Sequence, residues 1–208
     1  MIITRRVNLT GKPKTGRVGG NKKLKIMAIL TKERLTNVTE ITLGSRLFRQ
    51  TLFEAKQETK INSEVTVFLS HSHDDLNNGD LDKIIVLLRR TGVNVYIDSK
   101  DASLPPFTNA NTAKKIKEQI KLNRKFILVA TNRAIDSKWC NWELGFGDAH
   151  KYIEHIALIP LADNASTWNG SEYLKIYPRI EESSITPNSF NVYYPDGSII
   201  SLLNWLKQ

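Results

Sequence analysis

The segment 137–145 reads Ser-Lys-Trp-Cys-Asn-Trp-Glu-Leu-Gly and places one carboxylate among aromatic and small residues. Ser137 can cap a helix through its hydroxyl group, so Glu143 would project from the first turns of that helix. The apolar stretch 125–130 and the polar stretch 131–136 predict a strand followed by a loop. This order places Glu143 near the carboxyl edge of a sheet, where open α/β folds bind their ligands. Glu143 is therefore a candidate catalytic carboxylate; the alternative is an acid that the helix dipole favours.

Cys140 is the single cysteine of the 208-residue chain. It excludes an internal disulfide and is typical of proteins from a reducing cytosol. A nucleophilic thiol would need an activating partner, and no histidine stands in an evident partner position. We therefore interpret Cys140 as a packing residue at the start of the helix.

A second group of polar residues follows the apolar run 65–69. It comprises Ser70, His71, Ser72, His73, Asp74 and Asp75. Imidazole and carboxylate groups bind metal ions, but so short a loop does not bring four of them together, and no further His or Cys ligand is evident. We therefore predict no metal site. Asp74 is either a ligand-binding residue or a turn or N-cap residue.

Both groups resemble parts of one family. The pattern from Ser137 to Leu144 resembles the segment of Toll/interleukin-1 receptor (TIR) domains that carries the glutamate of the NAD-cleaving members. The run 67–75 resembles the opening strand and loop of bacterial TIR domains, and it precedes the first pattern in the right order. The resemblance is to stand-alone bacterial immune proteins of the Thoeris-like type. It implies an α/β fold with a flavodoxin-like, doubly wound parallel sheet of about five strands.

The resemblance implies an NAD+ hydrolase or ADP-ribosyl cyclase in which Glu143 is catalytic. Nicotinamide leaves as a neutral molecule, so no general acid is needed and one of the two carboxylates of an ordinary glycosidase becomes dispensable. The remaining carboxylate would stabilise an oxocarbenium-like ribose through its hydroxyl groups. Linear and cyclic ADP-ribose products both stay open. No cofactor is expected beyond NAD as the substrate.

The resemblance also assigns nucleotide binding to residues at the strand ends and beside the glutamate: Ser70, His71, Asp74, Asp98, Lys100 and Trp139. The loop 99–111 is too long for a bare connection, and in TIR domains this loop covers the nucleotide and contacts neighbouring domains. Trp139 and Trp142 could exclude water from the site. We expect the two rings to point in different directions on the helix, with at least one packing into the core.

The net charge of +9 is unevenly distributed. Residues 1–60 hold 14 basic and 4 acidic side chains, whereas the rest of the chain holds 16 and 17. Binding of nucleic acid would therefore belong to the N-terminal segment. We predict a basic N-terminal arm and an amphipathic helix at 1–60 and a TIR domain at 61–208. The helix, at 45–59, would cover its own domain or lie on a membrane surface.

Hydrophobic patterns predict the elements of the domain. Strands are expected at 64–69, 93–98, 125–130, 156–161 and 191–194. Helices are expected after a cap at Asp80 and up to Gly92, from Thr112 to Leu122, from Ser137 to about Tyr152, and after a cap at Ser198. The short run 25–30 fits a strand or a helix, and 163–188 has no clear pattern.

No run of 18 or more apolar residues and no signal-peptide core is present, so we expect a cytoplasmic protein without a transmembrane helix. Expected partners are NAD+, other copies of the chain through TIR–TIR contacts, and a separate effector that responds to the product in antiphage defence. Two alternatives are a non-enzymatic TIR scaffold that assembles through the loop 99–111, and a nucleic-acid-associated protein that acts through residues 1–24.

Overall fold

The computed structural model describes residues 29–43, 65–73, 75, 79–101, 104, 109–170 and 172–208. The strands are β1 (Leu30–Thr31), β2 (Thr66–Ser70), β3 (Asn94–Tyr96), β4 (Lys125–Ala130), β5 (Ile156–Ala162), β6 (Arg179–Glu182), β7 (Phe190–Tyr193) and β8 (Ile199–Ser201). The helices are α1 (Lys32–Leu43), α2 (Asp80–Arg89), α3 (Ala110–Leu122), α4 (Asn132–Asp136), α5 (Lys138–His150) and α6 (Leu202–Lys207). None of these described helices is long and apolar enough to cross a membrane.

The strands form one sheet in the order β3-β2-β4-β5-β6-β7-β8, and β1 pairs with β5 beside this path. The five strands from β3 to β6 pair in parallel. Numbered along the chain from β2, they have the order 2-1-3-4-5, which is the flavodoxin-like arrangement. The predicted fold is therefore confirmed. β7 and β8 extend the sheet in antiparallel pairs.

Alternate side chains of β2 pack into two different hydrophobic cores, one on each face of the sheet. Val67 and Leu69 pack in the core that also contains buried residues of α1, α2 and α6. Phe68 points to the opposite face, where it packs with buried residues of α3 and α5. Successive side chains of a strand point to opposite faces, so Ser70 follows Phe68 on the face of α3 and α5. This alternation brings the end of β2 towards the glutamate helix.

Two helices begin at other residues than predicted. Gly79, with φ of 67°, occupies the N-cap position of α2, so Asp80 is the first helical residue and not the cap. α3 begins two residues before Thr112, because the side chain of Asn109 accepts hydrogen bonds from the amides of Asn111 and Thr112. The preference of Asn for N-cap positions is the sequence signal that would have identified this start.

The C-terminal segment differs from its prediction. Ser198 does not cap a helix, because residues 199–201 form β8 and pair with β7. Ser201 is the cap of α6, and it accepts a hydrogen bond from the amide of Asn204 at 3.3 Å. Ile199, which would have been the first residue of the predicted helix, lies in β8 and is 53% exposed. A turn at 195–197 joins β7 directly to β8, and the two strands form a hairpin.

β1 and α1 belong to the packed core, although they lie within the span 1–60. Leu30, Leu35 and Val38 are buried in the core under α2. Lys83 of α2 also donates a hydrogen bond to the Thr36 hydroxyl at 2.7 Å. The other predictions for this span, an arm at 1–24 and a helix at 45–59, lie outside the described residues.

Leu35→Ala tests whether α1 is an integral part of the domain. Leu35 is fully buried, so truncation is expected to lower the free energy of unfolding by about 2–5 kcal/mol. Urea denaturation of the full chain measures the change. Ile41→Ala, at a position that is 64% exposed on the same helix, is the matched control. Equal stabilities for the two variants would contradict an integral α1.

Candidate active site

Two successive caps set the position of α5 after β4. The Thr131 hydroxyl accepts a hydrogen bond from the Ala134 amide at 3.0 Å and begins α4. Ser137 ends α4 and begins α5, and its hydroxyl accepts a hydrogen bond from the Cys140 amide at 3.3 Å. The predicted cap at Ser137 is confirmed. Glu143 thus lies in the second turn of a helix whose start is fixed.

Asn141 holds the junction of α4 and α5 together. Its Nδ2 donates hydrogen bonds to the carbonyl oxygens of Ile135 at 2.7 Å and Ser137 at 2.9 Å. Its Oδ1 accepts a hydrogen bond from the Tyr173 hydroxyl. The segment after β5 therefore ties down the same turn that carries the glutamate.

Glu143 is the carboxylate that α5 carries into the interior, and it is 2% exposed. The Ser70 hydroxyl donates a hydrogen bond to its Oε2 at 2.5 Å. Oε1 is buried and has no hydrogen-bond partner among the described residues. Burial raises the pKa of Glu143 to about 8, the charge of Asp98 adds to the rise, and Ser70 and Trp139 oppose it. A buried acceptor oxygen without a partner is one that a ligand hydroxyl could satisfy.

The ends of β2 and β3 supply the polar neighbours of Glu143. His71 is buried, with its Nε2 3.2 Å from Ser99 Oγ and its Nδ1 3.9 Å from Asp98 Oδ1. Burial lowers the pKa of His71 against the opposing charge of Asp98, so the ring is neutral at pH 7.

Asp98 is buried but remains charged. Its Oδ1 accepts a hydrogen bond from the Ser99 amide at 2.8 Å, and its Oδ2 lies 3.5 Å from Nε2 of His73. Burial acts to raise the pKa of Asp98, but the contacts with His73 and His71 outweigh it, and the pKa lies below its usual range.

These groups meet at the end of β2, where the strand order reverses and open α/β folds bind ligands. The sequence profile of the TIR domain matches residues 67–180. The chain belongs to the TIR domain family. It is also similar to a probable 3′ cyclic ADP-D-ribose synthase, ThsB′, of Bacillus cereus strain MSX-D12. The identity is 27% over 152 residues, which cover 68% of this chain and 75% of ThsB′.

The TIR fold brings together most of the residues assigned to the site: Glu143, Ser70, His71, Asp98 and Trp139. Lys100 is different, because its ammonium group pairs with Asp82 of α2 at 3.2 Å. Asp74 lies outside the described residues, as do 102, 103 and 105–108 of the long loop. The nucleotide-binding roles of all these residues stay predictions.

The two tryptophans near Glu143 do not diverge as expected. The rings of Trp139 and Trp142 stack on each other with centroids 4.7 Å apart. Both are half-buried against the core under α3 and α5. Residues three apart on a helix lie on the same face, which is why the expectation of different directions was wrong. Phe146 continues the stack, and Lys117 of α3 lies 5.3 Å from its ring centre.

Asp75 and Thr131 are buried polar residues near the site, and the contact between them was not predicted from the sequence. The Thr131 hydroxyl donates a hydrogen bond to Asp75 Oδ2 at 2.8 Å. Burial raises the pKa of Asp75 against this bond. The pair links the loop after β2 to the end of β4, so it supports the two segments that carry Ser70 and lead to Glu143. Within the described part of the chain, no cluster of three His, Cys, Asp or Glu residues is arranged to hold a metal ion.

Cys140 lies one turn before Glu143 and is 1% exposed. Burial raises the pKa of its thiol to about 11, and the nearby carboxylates of Glu143 and Asp98 add to the rise. A thiol with this pKa stays protonated at neutral pH and is a poor nucleophile. The environment is therefore that of a packing residue.

Proposed function

We propose that this TIR domain cleaves the nicotinamide–ribose bond of NAD+ with Glu143 as the catalytic carboxylate. The observation that carries the proposal is the buried Glu143, which has Ser70 on one oxygen and an unsatisfied second oxygen. The similar ThsB′ is a probable 3′ cyclic ADP-D-ribose synthase, and this activity supports chemistry at the same bond.

The chemistry follows from the environment of Glu143. As the bond to the pyridinium nitrogen breaks, nicotinamide leaves neutral and positive charge develops on the ribose. The ionised Glu143, through its free Oε1, accepts a hydrogen bond from a ribose hydroxyl and stabilises that charge. The interaction is strong because the site is shielded from water. The positive nicotinamide ring of the substrate also favours the ionised form of a carboxylate whose pKa is high in the empty site.

We also propose that the product of the reaction is cyclic. Glu143 is 2% exposed, so little water reaches the ribose cation that this carboxylate faces. A hydroxyl group of the same nucleotide therefore competes well with water for the cation. We place this activity in antiphage defence, where the cyclic ADP-ribose-type product would act on a separate effector. Association of TIR domains would complete the site, so the enzyme would be most active at high protein concentration.

The proposal is tested by incubating concentrated full-length protein with NAD+ and following nicotinamide release. Glu143→Gln and Glu143→Ala are expected to lose this release, whereas Glu118→Gln, at an exposed position of α3, is expected to keep it. Chromatography and mass spectrometry then identify the nucleotide product. A mass one water below that of ADP-ribose identifies the cyclic form.

A wild-type protein that releases no nicotinamide, or Glu143 variants that match the wild type, would overturn the proposed function. A scaffold that assembles through TIR–TIR contacts would then be the better interpretation. Self-association by the wild type and by Glu143→Gln, measured by light scattering, would be its positive sign.

A further inference from the structure

A second carboxylate, Asp98, lies beside Glu143. Phe68 of β2 pairs with Tyr96 of β3, and their rings stack with centroids 5.6 Å apart. Ile97 has extended backbone angles, so the alternation of the strand continues beyond β3. Asp98 and Ser70 therefore lie two residues further along neighbouring parallel strands, on the face that α5 covers.

The two carboxylates have different surroundings. The Ser70 hydroxyl donates a hydrogen bond to Oε2 of Glu143, and Oε1 has no hydrogen-bond partner within the described residues. Asp98 accepts a hydrogen bond from the Ser99 amide and lies near the imidazole rings of His71 and His73. Asp98 is thus held as an anion over the neutral pH range, whereas Glu143 is not. Neighbouring carboxylates in different environments commonly take different roles in one reaction.

We propose that Asp98 accepts the proton of the hydroxyl group that attacks the ribose, and that His73 passes this proton to solvent. The inference rests on the proposed function, and it deepens the description of the same site. His73 is suited to this step, because its side chain is 64% exposed while its Nε2 lies 3.5 Å from Asp98 Oδ2. Asp98 itself is 8% exposed, so His73 provides its path to water.

The step balances in atoms and charge. The bond between the anomeric carbon and the pyridinium nitrogen breaks, and its electron pair leaves with neutral nicotinamide. The oxygen of the attacking hydroxyl, from water or from the adenosine ribose, forms the new bond to the anomeric carbon. Its proton moves to the Asp98 carboxylate, then to the His73 imidazole and then to solvent. NAD+ therefore gives nicotinamide, one nucleotide product and one proton, and the hydrolytic route also consumes one water molecule.

A weak base is sufficient for this role. The attacking hydroxyl becomes strongly acidic as its oxygen bonds to the cationic ribose, so any ionised carboxylate in contact can take the proton. Position decides the effect more than basicity, and a positioned group of this kind contributes about 10²–10⁴-fold to a rate. Glu143 is less suited, because it must stay ionised against the ribose until the new bond has formed.

Labelled nicotinamide separates this step from bond cleavage. Exchange of labelled nicotinamide into NAD+ requires the glycosidic bond to break and re-form, and it involves no attacking hydroxyl. Asp98→Asn keeps an acceptor oxygen for the Ser99 amide, so it preserves the local backbone. We expect this variant to keep the exchange and to lose net product formation by about 10²-fold or more. Glu143→Gln is expected to lose both.

Asp163→Asn is the control for the loss of a negative charge at this edge of the sheet. Asp163 is exposed and pairs with Lys32 of α1, so both reactions should persist. An Asp98→Asn variant that loses exchange and net product equally, or that keeps full product formation, would overturn the role of Asp98. If the wild type shows neither reaction, the proposed function itself fails. Retained exchange in Asp98→Asn therefore distinguishes failure of the inference from failure of the function.

Discussion

Glu143→Gln is expected to abolish nicotinamide release from NAD+ and at the same time to stabilise the fold. The amide keeps the size of the side chain but removes the negative charge that would face the ribose. Loss of one electrostatic group of this kind costs about 10²–10³-fold in rate, and removal of a full charge costs at least as much. Position 143 is 2% exposed, so a neutral amide there also avoids the free-energy cost of burying an ionisable group.

The sign of the stability change follows from the pKa of Glu143. Folding raises this pKa from its ordinary value of 4.5 to about 8. Below the ordinary value the carboxyl group is protonated in both states and its ionisation costs nothing. Between the two values the unfolded chain releases the proton and the folded protein keeps it, so stability falls as the pH rises. The glutamine variant lacks this loss.

Thermal and urea unfolding of both proteins between pH 5 and pH 8 measures the effect. The advantage of Glu143→Gln in free energy of unfolding should grow by on the order of 3 kcal/mol over this range. Glu118→Gln, which changes an exposed carboxylate in the same way, should show no such growth. An active but unstabilised Glu143→Gln protein would contradict both the catalytic role and the cost of burial.

The main elements of the site could be predicted from the sequence because each depends on the chemistry of neighbouring residues. Residues 126–130 of β4 form a continuous apolar run, and Ser137 has the residue type of a cap. The contact between Ser70 and Glu143 is different, because 73 residues separate them. It depends on the pairing of β2 with β4 and on the face that each side chain occupies, and these arise only when the sheet assembles.

The errors of prediction also have physical causes. β6 was missed because its residues Arg179, Glu181 and Glu182 are charged, yet Arg179 and Glu181 pair with each other at 2.5 Å and Glu181 is buried. A local ion pair allows a charged segment to join a sheet. The composition of the segment does not reveal this pairing, so the strand could not be predicted from it. β8 was interpreted as helix because its two apolar residues, Ile199 and Ile200, fit the period of a helix as well as that of a strand.

The rate of NAD+ cleavage is expected to rise with pH up to about 8. The active form of Glu143 is the carboxylate, and its pKa in the free protein is about 8. Below this value the ionised fraction falls tenfold per pH unit, so kcat/KM should drop by roughly 50-fold between pH 8 and pH 6. Initial rates of nicotinamide release over this range, at low NAD+ concentration, measure the change.

Two variants should move this pH profile in opposite directions. The hydrogen bond from Ser70 lowers the pKa of Glu143, and the charge of Asp98 raises it. Ser70→Ala should therefore shift the rising limb to higher pH, and Asp98→Asn should shift it to lower pH, each relative to the wild type. A merely structural defect lowers the rate without moving the limb. A wild-type limb near pH 4–5, or equal shifts in the two variants, would show that the ionisation of Glu143 does not control the reaction.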